Sequence, residues 1–293
     1  MDTIRSFLSR ARAFFSAHRA ARIAGYVLAA WLVFVLIFHP KGTKTFLILG
    51  MDNYGSLDVV GRSDVMMLVQ IDFTRADIST VTFARDMFIP DENGRTQKIN
   101  TIVRQSGEDA LVTAMENAFD LDIDGWFRVN FTTVIELVDA IGGVEIELTE
   151  KEANYINRNT NYDPIEGGVN RLNGGQALAF ARCRKLDNDM GRGERQNKVM
   201  AAMVAQTKRM TIANVVNVFN SLKHAWTSSL SGLEQVRLLG NALWLRGAHV
   251  NSIGMPLGGW KYGNGGVVIK MEENVQLLHE ALGLPAPKAT AEP

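Results

Sequence analysis

Apolar residues along the chain fall into two rhythms. Short runs bounded by charges or turn residues read as strands: "TFLILGMD", "DVMMLVQID", "ISTVTFA", "GWFRVNF" and "VEIEL". Helical spacing appears in "EDALVTAMENAF" and in "TTVIELVDAI", which the Gly142-Gly143 pair stops. Residues 157–175, with paired glycines and several asparagines, read as a long exposed loop. Beyond it come a helix with a weak start, "LNGGQALAFA", and a stronger one, "ERQNKVMAAMVAQTKRM". Two more helices, "GLEQVRLLGNALWL" and "ENVQLLHEALG", flank a short strand, "HVNSIGM". Strands alternate with helices and no repeat or interior linker interrupts them. The pattern predicts one α/β domain over residues 43–284, a central sheet with helices on both faces, and a disordered tail, 285–293.

One apolar segment fits neither rhythm. Residues 23–38, "IAGYVLAAWLVFVLIF", carry no charge, and Ala20 and Ala21 extend the run toward the ~20 positions a spanning helix needs. No small-residue cleavage site follows Phe38, so the segment predicts an uncleaved transmembrane anchor over 23–39. Before it, Arg5, Arg10, Arg12, Arg19 and Arg22 face only Asp2, which keeps the 1–22 tail cytoplasmic and leaves the domain outside a bacterial-type membrane. A group-transfer enzyme placed there, away from ATP, needs a substrate that arrives already activated.

Charge changes the picture only locally. Lys+Arg and Asp+Glu both total 31, so no global field points to nucleic acid. Cys183 is the single cysteine, and the five histidines lack metal-ligand spacing, which removes disulfide, cysteine-metal and zinc-hydrolase chemistry. Gly50 and Gly55 have phosphate-loop separation, but Ser56-Leu57 stands where Lys and Ser/Thr belong. What remains is a series of charged residues at strand ends and turns: Asp52, Arg62, Asp64, Arg85, Asp86, Lys98 with Asn100, Arg182 and Arg184, then Arg192, Arg195 and Gln196. If "FARCR" is extended, Arg182 and Arg184 point the same way; on a helix, Arg192 and Arg195 share a face. Guanidinium forks suit phosphate oxygens, and Asp52 with Asp64 suits a divalent cation completed by those oxygens. Together they fit a pyrophosphate. Singly each has a plainer reading: Asp52 closing a turn, Asp64 opening a strand, Arg85-Asp86 as a surface ion pair, "GRGERQ" as a solvated helix start, Cys183 as a small core residue.

Taken in order, "ILGMD", "RSDVMMLVQID", "ARDMFI", "KIN", "VNFTTVIELVDAIGGVEIEL", "LNGGQALAFARCRK", "DMGRGERQ" and the later "IGMPLGG" resemble the LytR-CpsA-Psr family of bacterial cell-wall enzymes. The resemblance implies an α/β/α sandwich around a mixed sheet, with a hydrophobic pocket for a lipid tail and one N-terminal anchoring helix. It implies a phosphotransferase that moves a glycopolymer from a polyprenyl-pyrophosphate carrier to peptidoglycan and works with Mg²⁺ or Mn²⁺. By position, Asp52 and Asp64 match the metal-linked aspartates. Arg62, Arg85, Arg182, Arg184 and Arg192 match the pyrophosphate-binding arginines, with Lys98, Arg195 and Gln196 as further polar contacts. The expected catalytic set is Asp52, Asp64, Arg85 and Asp86, and Asp52 and Asp86 are the candidates for the base. Ala84 departs from the proline the family often has there. Two other readings use the same residues: a lipid-pyrophosphate hydrolase with water as acceptor, and a membrane-tethered polyanion-binding module without catalysis.

Overall fold

A computed structural model describes residues 26, 42–51, 63–183, 189–222, 224–242, 245 and 248–288. The strands are β1 (Thr43–Met51), β2 (Ser63–Asp72), β3 (Asp77–Phe83), β4 (Phe88–Pro90), β5 (Thr96–Lys98), β6 (Gly125–Val129), β7 (Val144–Leu148), β8 (Gly168–Leu172), β9 (Thr227–Ser228), β10 (His249–Met255), β11 (Trp260–Gly263) and β12 (Gly266–Ile269). The helices are α1 (Ile99–Ser106), α2 (Glu108–Phe119), α3 (Phe131–Ala140), α4 (Glu150–Asn159), α5 (Gly174–Arg182), α6 (Asp189–Arg209), α7 (Ile212–Leu222), α8 (Gly232–Ala242) and α9 (Met271–Leu282). The central sheet has the order β10-β3-β2-β1-β6-β9 and is mixed: β1 with β6 and β3 with β10 are parallel, the other pairs antiparallel. Five of the predicted strands are β1, β2, β3, β6 and β10 of this sheet, whereas "VEIEL" is β7 and pairs with β8 in a separate two-stranded sheet.

The two faces of this sheet are packed differently. Side chains alternate along each strand, so Leu47, Leu49 and Met51 of β1 share a face with Met66 and Leu68 of β2 and with Val81 and Phe83 of β3. All seven are almost fully buried, in one core with Ile99, Ile102 and Val103 of α1, Leu111, Met115 and Phe119 of α2, and Val275, Leu278 and Leu282 of α9. Each such side chain taken from water contributes about 1.5–3 kcal/mol. His279 of α9 binds this layer together, with its ring nitrogens 2.9 Å from the Phe119 carbonyl and 2.6 Å from that of Pro285. On the other face, α6 crosses β3 and β10, and a second core joins α3, β7, β8, α4, α5 and α6. In the middle of that face Ile48, Val65, Phe127 and Val129 are half-buried around Met67, which lies opposite Ile48 and is 2% exposed, and none of these belongs to a packed cluster among the described residues.

Local signals explain the helices of this second layer. Asn130, Thr149 and Asn173 each accept a hydrogen bond from the backbone N–H three residues on, and Thr133, Glu152 and Gln176 return it. The Asn173 box starts α5 firmly despite the glycines that follow. A Cβ on Gly174 would lie 2.3 Å from the Ile135 carbonyl oxygen, so glycine is what lets α5 approach α3 this closely.

Three expectations need correction. The stretch 157–175 is not one long loop: α4 runs to Asn159, and Gly168–Leu172 pairs with β7 as β8, burying Leu172 in the second core. The helix expected from Glu194 begins at Asp189. The tail is tied down as far as Lys288, whose backbone N–H donates to Asp120 Oδ2 at 2.8 Å. Residues 289–293, the basic 1–22 tail and, except for Tyr26, the expected 23–39 anchor lie outside the described residues. Among the described residues no helix is long and apolar enough to cross a membrane.

Candidate active site

The carboxyl ends of β1, β3, β6 and β10 and the start of β2 meet along one edge of the central sheet. The register of β1 on β2 slips there, from Gly50 opposite Val65 to Met51 opposite Ser63, which leaves Asp64 as the extra residue of a bulge. A bulge frees a side chain from strict alternation and re-aims it. The Ser63 hydroxyl, donating to the Val65 carbonyl at 2.7 Å, pins the distortion. Asp64 Oδ1 then accepts from Arg85 Nη1 at 2.7 Å, with the carboxylate 8% and the guanidinium 32% exposed. Arg85 therefore pairs across strands with Asp64 rather than forming a surface pair with its neighbour Asp86.

The backbone beneath Arg85 and Asp86 is held from several sides. Ala84 N–H donates to the Met255 carbonyl (3.2 Å), Asn100 N–H to the Arg85 carbonyl (3.2 Å), Val267 N–H to the Asp86 carbonyl (3.0 Å) and Ile99 N–H to the Met87 carbonyl (2.9 Å). This explains "KIN" physically. Ile99 and Asn100 open α1, and their N–H groups, which have no partner inside the helix, clamp the "ARD" turn. The Lys98 ammonium donates to the Gly265 carbonyl at 2.8 Å and lies 5.8 Å from the Phe88 ring centroid, so it ties β12 to this edge.

The later cationic stretch reaches the same edge by another route. "FARCR" is not extended as far as it is described: Arg182 closes the last turn of α5, and Cys183 is its C-cap. Arg182 is exposed and lies with its guanidinium carbon 4.0 Å from the centroid of Phe131, a cation–π contact. Phe131 directly follows Asn130 at the end of β6, so the stack sets Arg182 over the sheet edge. Arg195, expected as a ligand contact, is 3% exposed. Its Nη2 donates to the Cys183 carbonyl at 2.6 Å, and Nη1 lies 3.9 Å from Glu152. It braces the end of α5 from within. Cys183 is buried, as a small core residue should be. Gln196 is half-buried beside Asn197, whose Oδ1 accepts from the Thr82 hydroxyl at 2.7 Å and so ties α6 to the end of β3.

Asp64 and Arg85 thus pair at this edge with Asp86 next in the chain, Arg182 is stacked on Phe131 just after β6, Gln196 adjoins the Asn197–Thr82 tie on α6, Lys98 is bound to the neighbouring hairpin and Arg195 is turned inward. Asp52, Arg62 and Arg184 lie outside the described residues, as does the Arg192 side chain. Sequence reading missed Phe131 as the platform for Arg182, Thr82 and Asn197 as a tie, and the half-open apolar strip next to the charged edge. It also missed Arg128, buried against Glu108 of α2 with an Nε that has no hydrogen-bond partner among the described residues. Strand periodicity puts Ile48, Val65 and Phe127 on the opposite face from the residues they alternate with, but does not say whether a helix covers that face.

The fold is a mixed α/β sandwich with charged side chains at one edge of its central sheet. The chain belongs to the LytR_cpsA_psr family, whose model matches residues 22–278. It is 32% identical over 167 residues to the polyisoprenyl-teichoic acid–peptidoglycan teichoic acid transferase TagU of Bacillus cereus (strain AH820), covering 55% of this chain and 51% of that one. It is 26% identical over 225 residues to the corresponding transferase TagT of Bacillus subtilis (strain 168), covering 69% and 70%. The chain spans about half the length of several curated relatives it matches. In fold it is similar to the LytR-CPS2A-psr family protein YwtF (TagT) with bound octaprenyl pyrophosphate lipid, at a TM-score of 0.63 and 22% identity over 83% of this chain and 92% of that one.

Proposed function

We propose that the chain is a phosphotransferase that moves a glycopolymer from a polyprenyl-pyrophosphate carrier to peptidoglycan. The observation that carries this reading is the junction of the Asp64–Arg85 edge with the half-buried strip of Ile48, Val65, Phe127 and Val129. An anionic head and a long apolar tail are what such a junction suits, and the relatives' printed names point to that class of donor. Arg85 and Arg182 would pair with the pyrophosphate oxygens, with Gln196 as a further polar contact and Arg62, Arg184 and Arg192 added on the strength of the family pattern. The acceptor hydroxyl attacks the phosphorus nearer the sugar, the anhydride bond breaks, and prenyl phosphate leaves with its electron pair. In this reading Asp86, half-buried beside the Asp64–Arg85 pair, takes the hydroxyl proton, with Asp52 as the other candidate. Fixed guanidinium groups at the anhydride lower the barrier by neutralising charge that builds on the leaving oxygen.

A divalent cation fits the donor set. Among the described residues no group of three or more acidic, histidine or cysteine side chains is assembled for a metal. Mg²⁺ needs only one or two carboxylates when phosphate oxygens complete its shell, and Asp64 with Asp52 would supply them. Bound there, it would add positive charge against the pyrophosphate. The apolar 23–39 segment would anchor the domain beside its lipid-borne donor with the N-terminus cytoplasmic.

The test uses the full chain in detergent with a synthetic polyprenyl-pyrophosphate glycan, following prenyl phosphate release and glycan attachment with and without peptidoglycan and Mg²⁺. Attachment that both Asp64→Ala and Arg182→Ala abolish supports the reading. Release independent of peptidoglycan, with no attachment, replaces it with hydrolysis; binding of the lipid with no release favours a non-catalytic module.

A further inference from the structure

The β11–β12 hairpin lies beside the charged edge and no step above uses its outer part. Its two-residue turn, Asn264 and Gly265, has φ of 53° and 75°, the left-handed pair that a tight hairpin requires. Trp260 faces Ile269 and Tyr262 faces Val267 across the ladder. Directly opposed residues share a face, so Trp260 and Tyr262 continue the side on which Val267 and Ile269 pack into the core. Being on the edge strand they overhang that core: Trp260 is 49% and Tyr262 67% exposed.

This overhang is rigidly held. Val267 N–H bonds the Asp86 carbonyl, and the Lys98 ammonium bonds the Gly265 carbonyl. Asn274 Oδ1 accepts from Leu257 N–H (2.9 Å) and Gly258 N–H (3.2 Å) at the hairpin's entrance. Met87 bridges Val267 in parallel, so β11 lies two strand spacings, about 10 Å, from the Asp86 segment. Two aromatic rings are therefore held on the Val267 face of a hairpin whose backbone is fixed relative to the Asp86 segment.

The size of the patch limits its occupant. Two aromatic side chains at these exposures offer on the order of 200–250 Å², well below the ~800 Å² per partner of a stable protein interface. Each has an apolar ring face and one polar tip, the indole N–H or the phenol O–H, and Lys261 points to the opposite side of the strand. An uncharged ring ligand with an apolar C–H face and a hydroxyl rim suits that pair, which is the chemistry of a pyranose. We propose that Trp260 and Tyr262 form the subsite that holds the saccharide chain of the acceptor, and that the Lys98 clasp sets its distance from Asp86. The proposal rests on the transferase reading for the identity of the acceptor.

The test measures calorimetric binding of an uncharged N-acetylglucosamine tetrasaccharide to the full chain in detergent, for wild type, Trp260→Ala, Tyr262→Ala and Trp260→Phe. Affinity for polyprenyl pyrophosphate and for anionic lipid vesicles is measured in parallel. The expected result is a loss of about tenfold in saccharide affinity for each alanine variant, near wild-type binding for Trp260→Phe, and unaltered prenyl pyrophosphate affinity. In turnover, the alanine variants raise the KM for peptidoglycan more than they lower kcat. Saccharide binding that is equal in all four proteins, or absent from wild type, overturns the proposal. So does a loss confined to vesicle binding, which marks the rings as a membrane contact. If the saccharide result holds while no glycan is ever transferred, the subsite stands and the transferase reading falls; if all variants transfer normally with normal KM, the subsite falls and that reading stands.

Discussion

The two faces of one sheet teach what sealing and leaving open each accomplish. On one face Leu47, Leu49, Leu68, Val81 and Phe83 are closed over by α1, α2 and α9 and make the domain stable. On the other, Ile48, Val65, Phe127 and Val129 are equally apolar and centrally placed, yet half-buried and, among the described residues, part of no packed cluster. Apolar surface left uncovered in the middle of a sheet forgoes burial free energy unless something else covers it. The charged edge lies at the end of this half-buried strip, and the proposed function rests on the two together.

The comparison is broken most directly by truncating one large side chain on each face. Phe119→Ala removes a fully buried ring packed 5.2 Å from that of Phe83, and should cost about 3–5 kcal/mol in urea unfolding. Phe127→Ala removes a half-buried ring whose contact is an edge-on one with Phe46 at 5.9 Å. It should cost only about 1 kcal/mol, while weakening polyprenyl pyrophosphate binding measurably. Equal stability losses would mean that both faces are core. Next in size, Arg195→Met should free the end of α5, so that Cys183, the chain's single thiol, reacts with a thiol reagent several-fold faster than in wild type, with Arg195→Lys intermediate. A rate equal to wild type would show that Arg195 does not brace that turn.

The smallest effect concerns acid stability at Asp91, beneath the sealed face. Burial raises its carboxyl, but hydrogen bonds from the Arg95 and Asn93 N–H groups and from the Arg95 guanidinium outweigh this and hold it below the ordinary range. A carboxyl lowered in the folded chain contributes stability that is complete above the unfolded value of about 3.9 and is lost as pH falls through the folded one. Asp91→Asn should therefore lower the Tm at neutral pH and flatten its fall below about pH 4. A fall as steep as in wild type would place the acid sensitivity elsewhere.

Much of the sealed face was legible, because "FLILGM" and "MMLV" must be buried somewhere and strand periodicity says which residues go together. The same periodicity cannot tell whether a helix lies over a face, so the open strip was invisible. Of the ordered charged series, Asp64, Arg85 and Asp86 lie at one sheet edge, but their pairings were not legible. Asp64 meets Arg85 only because a bulge and an antiparallel connection bring them together, and Arg195 turns inward only because Cys183 and Glu152 wait there. The Asn264-Gly265 turn was readable from sequence, and passing it over hid the hairpin that clasps Lys98.

The measurement that tests the account most directly is the affinity of the full chain for prenyl pyrophosphates of increasing length, in wild type and in Ile48→Trp. An apolar strip leading from an arginine-bearing edge predicts that affinity climbs with each isoprene unit, by up to about 0.8 kcal/mol per buried CH₂, until the strip is covered. Ile48→Trp should flatten that climb and leave the shortest pyrophosphate bound as in wild type. An affinity independent of chain length, or a climb untouched by Ile48→Trp, would contradict the assignment of the open face to the lipid.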